Sequence, residues 1–164
     1  MKKIILLLFV SSIVYATFFS EKARLDREVD RLCAIDGGIR VYETVQLPSD
    51  KFNKWGEINF YKPTQKIEDT LGPEYIYQWN MHYYKKGDPV SQGAQEIAMR
   101  RDHIKIIRGI DMKLLGEFVK YHRAGGDLPG PWMPSSYHCP DRSKANESLL
   151  LKDVFIKSTE RNVE

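Results

Sequence analysis

The sixteen residues from Ile4 to Phe19 carry no charged side chain, and Lys2 and Lys3 stand immediately before them. A positive start followed by an apolar run is the pattern of an export signal. Val14-Tyr15-Ala16 offers small or aliphatic residues at the two positions a signal peptidase reads, so one expectation is cleavage before Thr17, with 1–16 as the signal and 17–164 as a single folded domain. The other is an uncleaved anchor over 4–19, slightly shorter than the ~20 residues that cross a bilayer squarely. In either case the positive-inside rule leaves Lys2 and Lys3 in the cytoplasm and everything after Ser20 outside it. No cysteine lies near Thr17, which argues against a lipoprotein.

Export decides what the two cysteines do. Cys33 and Cys139 are far apart in the chain, and an even count in an oxidising compartment reads as a disulfide. Charge excludes one class of partner. Removing Lys2 and Lys3 from the 25 basic residues leaves 23 against 22 acidic ones, which is no electrostatic footprint for nucleic acid.

Periodicity gives the architecture. In 20–36, Leu25, Val29, Leu32 and Cys33 fall at i, i+4, i+7 and i+8, an apolar helical stripe with Ser20 as its N-cap and Gly37-Gly38 as its stop. An uncleaved anchor could run straight into this helix. "IRVYETVQLP" alternates as a strand, and "GEINFYKP" reads as a short one. "EYIYQWNMHYYKKGDP" is the clearest strand, with Tyr75, Tyr77, Trp79, Met81 and Tyr83 on one face. Glu96–Arg108 and Lys113–Arg123 form a long hairpin, Gly109 and Asp111 supplying the permissive turn positions. "LLLKDVFIK" is a last strand or short helix. The fold expected is α+β, an N-terminal helix packed on an antiparallel, hairpin-linked sheet.

"RAGGDLPGPWMPSSYHCP", Arg123 to Pro140, has neither period and is stiffened by four prolines. Asp127 after two glycines suits a cation-binding turn or a backbone nest for an anion. Two readings of Trp132 stand open. It plugs the core while Cys139 ties the loop to Cys33, or the loop is exposed and presents Trp132, Met133 and Tyr137 to a partner.

Nothing in the sequence calls for a cofactor or a metal. His82, His103, His122 and His138 lack zinc spacing, and His103 and His122 fall about 13 Å apart in the expected hairpin, too far to share an ion. "SSYHCP" lacks the nucleophile elbow, and adjacent His138 and Cys139 point apart in an extended segment. The aromatic stripe from Tyr75 to Tyr83 reads as a core face or as a stacking platform. Asn146-Glu147-Ser148 matches a glycosylation acceptor by chance.

The stretches "DREVDRLCAIDGGIRVYETVQLP" and "YHRAGGDLPGPWMPSSYHCP" resemble small exported proteins of Gram-negative bacteria. The resemblance implies an envelope setting, and no activity, cofactor or catalytic residue. The function expected is a non-catalytic envelope protein, periplasmic or tethered to the inner membrane, that binds or supports a partner protein. The alternatives are an exported hydrolase or small-ligand binder, with a pocket between the helix and the Tyr77/Trp79 face lined by His82, His122 and an acid, and a mobile-element or phage-borne envelope modifier.

Overall fold

The computed structural model describes residues 2–63 and 70–158, with no side-chain description for 2, 3 and 17–20. "IEDTLGPE", which reads as a loop in the sequence, falls partly outside the described residues, and "STERNVE", which reads as a frayed end, does so almost wholly.

The elements are α1 (Lys2–Asp36), β1 (Gly38–Val41), β2 (Val45–Leu47), β3 (Tyr75–Lys85), β4 (Ile97–Arg108), β5 (Lys113–Gly125), β6 (Ser136–Cys139), α2 (Glu147–Val154) and β7 (Phe155–Lys157). The order β1-β5-β4-β3, with β6 also paired to β5, makes an antiparallel sheet of five strands. The fold is α+β. The chain groups into two compact units, Met1–Asp36 with His82–Arg101 and Tyr121–Cys139, and Gly37–Met81 with Asp102–Lys120 and Pro140–Glu164.

In the first unit α1 is one unbroken helix, so Ser20 lies within it and not at its start. By length and composition α1 is apolar enough to cross a membrane. Its later turns behave as a soluble helix. Leu25, Val29 and Cys33 are buried on one stripe, while Leu32, placed on the same stripe by the period, is only half-buried. Burying side chains of this size stabilises by about 2 kcal/mol each. Ile97, Met99 and Tyr121 of the same unit are buried as well.

The second unit holds the larger apolar core, in which Tyr75, Ile106, Leu115, Phe118, Leu150 and Phe155 meet. "IRVYETVQLP" is two strands and not one. The amides of Tyr42 and Glu43 both donate to the Leu115 carbonyl, at 2.8 and 3.0 Å, so the ladder ends there and the chain leaves the sheet. β2 then pairs in parallel with β7. "LLLKDVFIK" is both helix and strand, and Asn146 caps α2 by accepting the Leu149 amide at 3.0 Å. "GEINFYKP" forms a turn with a single bridge between Phe52 and Ile58. In the β4–β5 turn the positive φ, 56°, falls on Met112 and not on Gly109 or Asp111. Gly109 serves a close approach instead, because a Cβ there would lie 3.1 Å from the Glu74 carbonyl oxygen.

Candidate functional site

Gly125 and Gly126, at φ 78° and 76°, turn the chain out of β5. A Cβ on Gly125 would sit 1.8 Å from the Glu96 carbonyl oxygen, so only glycine fits. The loop is then pinched at its neck. The Gly125 amide donates to the Ser135 carbonyl at 2.8 Å, and the Asp127 amide to the Ala94 carbonyl at 2.9 Å. The Asp127 carboxylate accepts from the Ser135 amide at 2.6 Å, the Ser135 hydroxyl at 2.8 Å and the Lys22 ammonium at 2.5 Å. Asp127 therefore joins the loop to α1. Three contacts to its carboxylate thus come from the protein itself. Burial pushes its pKa up, but Lys22 and the two Ser135 donors outweigh that and hold it below the ordinary value.

Three further clasps follow along the same helix face. The Arg123 guanidinium, 3% exposed, forks onto Asp26 at 2.8 and 3.0 Å and donates to the Gly125 carbonyl at 2.9 Å. The Tyr137 hydroxyl donates to Asp30 at 2.8 Å. Cys33 and Cys139 are disulfide-bonded, with Cα atoms 5.9 Å apart. Lys22, Asp26, Asp30 and Cys33 are thus one row of α1. Charges at such spacing ordinarily read as a solvated face, which is why Lys22, Asp26, Arg123 and Ser135 were not singled out from sequence. The available signal was their place beside the Leu25–Val29–Cys33 stripe.

Beyond the neck the loop is bare. Trp132 is 51% exposed and Met133 82%. The plug reading of Trp132 is therefore overturned. Its ring lies over Gly130, where a Cβ would come within 2.1 Å of it, and not in the core. Leu128 is exposed as well, and Tyr137 sits at 36%.

The aromatic face of β3 divides. Tyr75 and Tyr77 are buried, but every residue from Gln78 to Tyr84 is exposed, so core accounts for only the first part of the stripe. β3 also ends the sheet, and among the described residues no strand lies beyond it.

The histidines are scattered over several partners. His103 Nε2 meets Glu117 at 2.6 Å, in a cluster where Glu117 also accepts from the Tyr42 hydroxyl at 2.6 Å. Burial raises the Glu117 pKa, and the Tyr42, His103 and Arg40 contacts more than reverse it. His122 faces His138 across β5 and β6, rings 5.4 Å apart. Among the described residues no three His, Cys, Asp or Glu side chains gather to hold a metal. Cys139, being disulfide-bonded, has no thiolate to offer as a nucleophile. An open groove of about 380 Å³ is lined by Phe52, Asn53, Glu57, Tyr61, Leu151 and Phe155 among others, and none of His82, Trp79 or His122 lines it.

Comparison with known protein families, curated proteins and solved structures finds no match for the chain.

The Asp127 clasp has a pH signature. An Asp whose folded pKa lies below its unfolded value near 3.9 stabilises fully above that value and ceases to as pH falls through the folded one. Asp127→Asn should therefore cost about 1–3 kcal/mol at pH 7. The difference from wild type should shrink as pH falls below about 4. Urea unfolding between pH 7 and pH 3 reads both. A difference that stays constant across that range would contradict the assignment.

Proposed function

We propose that the chain is a non-catalytic protein of the Gram-negative cell envelope, exported and tethered to the inner membrane by α1, that holds its folded part on the periplasmic side and docks a partner protein there. The unbroken passage of α1 from its apolar half into the clasped half supports a tether. The disulfide is compatible with an oxidising compartment.

The observation that carries the docking is the outer edge of β3. A long edge strand with exposed aromatic side chains is a template for another chain, and proteins that do not use such an edge usually blunt it. Here Trp79, Met81, Tyr83 and Tyr84 are all exposed along it. An extended segment of a partner protein that adds a strand fits this surface, main-chain hydrogen bonds supplying affinity and alternate side chains specificity. The sequence alone nominated Trp132, Met133 and Tyr137 for this contact. Tyr137 is already engaged with Asp30.

In-cell crosslinking followed by recovery of the protein tests this. Trp79→Lys with Tyr83→Lys should abolish the crosslinked partner while leaving the melting temperature within about 3 °C, since exposed positions contribute little to stability. Capture unaffected by the pair rejects the edge. Capture lost only in Trp132→Ala moves the contact to the loop.

A further inference from the structure

The neck of the loop is fastened at one level of α1. Asp127 clasps Lys22, three residues after Phe19, where the apolar run ends. At 1.5 Å of rise per residue, Lys22 lies about 4–5 Å past that end. The headgroup layer outside the hydrocarbon is about 5–8 Å deep on each side of a bilayer. A second clasp, Lys85 to Glu21, pins the neighbouring turn at the same level. That turn carries Val90, 76% exposed, and its Pro89 side chain lies against Gly125. Asp88 is folded into it, accepting the Ser91 amide at 3.0 Å.

We propose that Leu128, Trp132 and Met133, with Val90 beside them, form a foot that seats in the headgroup layer of the membrane α1 crosses. This rests on the tether reading given above. Residues 128–134 hold no charge, so no ion is desolvated on entry. Three of the seven are prolines, which leaves few amides to satisfy. Tryptophan, with an apolar ring and one N–H donor, favours this boundary. Depth matters as well. The loop backbone is irregular, so it belongs among headgroups and waters and not in hydrocarbon. Exposed apolar side chains at the neck of a membrane helix thus have a solvent that suits them. The four clasps along α1 and the Lys85–Glu21 pair keep the foot from swinging away.

The test uses the full chain in phosphatidylcholine/phosphatidylglycerol nanodiscs, with Trp55→Phe and Trp79→Phe so that Trp132 alone reports. Both replaced residues are exposed. Lipids brominated high on the acyl chain should remove most of the Trp132 emission, and lipids brominated at the chain end much less. Carbonate washing of native membranes is run in parallel. If Trp132 is open to aqueous acrylamide and unaffected by bromine while the protein resists carbonate, the foot is wrong and the tether stands. If carbonate releases the protein, the tether fails and the foot with it. If Trp132 is shielded from acrylamide yet untouched by bromine, a second copy or another protein covers it, and the lipid assignment is overturned.

Discussion

Reducing the Cys33–Cys139 bond is expected to lower the stability of the folded part by about 4–5 kcal/mol and its melting temperature by roughly 10–20 °C. The two cysteines are 106 positions apart, so the bond closes most of the folded chain into one ring. In the chain-entropy account, that closure removes conformations from the unfolded state, and the effect grows with ring size. The native side offers little to offset it. Cys33 already lies on the buried stripe of α1, and β6 is brought to it by its pairing with β5, Tyr121 opposite Cys139. The measurement is thermal unfolding in detergent with and without reductant, beside the Cys33→Ser/Cys139→Ser double variant. The two routes should agree. A shift under about 3 °C by both routes would mean that the clasps alone hold α1, and that the bond is a consequence of the fold and not a support for it.

What could be read from the sequence was whatever is local and periodic. The stripe Leu25–Val29–Cys33, the β4–β5 hairpin and β3 each repeat one period over nine residues or more, so packing only had to agree with them. The cysteine pairing followed from the even count and from the expectation of export. What stayed hidden is non-local. β2 and β7 are three residues each, and nothing in either announces a parallel partner more than a hundred positions away. The break after Val41 is invisible because the alternation continues through Tyr42–Thr44, while the shared Leu115 carbonyl ends the ladder. Trp132 stayed open for a different reason. A large apolar ring on a stiff loop suits a core plug or an exposed contact alike, and only the fold shows it half exposed over Gly130. The clasp residues were hidden by their charge. Asp26 and Arg123 look like surface residues until the fold brings 97 positions of chain together.

Arg123 is the clasp whose loss should cost most. Its guanidinium is inside the protein, 3% exposed, and all three of its nitrogens donate. Nε and Nη2 go to the two oxygens of Asp26, and Nη1 serves the Gly125 carbonyl, the Ser135 carbonyl at 3.2 Å and the Ser135 hydroxyl at 2.9 Å. Arg123→Met fills similar space but strands the Gly125 carbonyl and a carboxylate, while the Ser135 carbonyl keeps the Gly125 amide, so it should destabilise by about 3 kcal/mol, the lower end for a broken buried pair because Asp26 remains 27% exposed. Arg123→Lys should recover only part of this, since an ammonium is a point charge and cannot fork onto Asp26 while also reaching the loop neck. Asp26→Ala tests the other partner, leaving the buried cation without its counter-charge. A double-mutant cycle between the two separates their coupling from loss of packing, with about 2 kcal/mol of interaction expected. Urea unfolding of the four proteins measures it. The loop also depends on the disulfide, so Arg123→Met and Cys33→Ser should not add when combined. Additivity within about 0.5 kcal/mol would show the two fastenings to be independent, and a cycle near zero would remove the Arg123–Asp26 clasp as a support for α1.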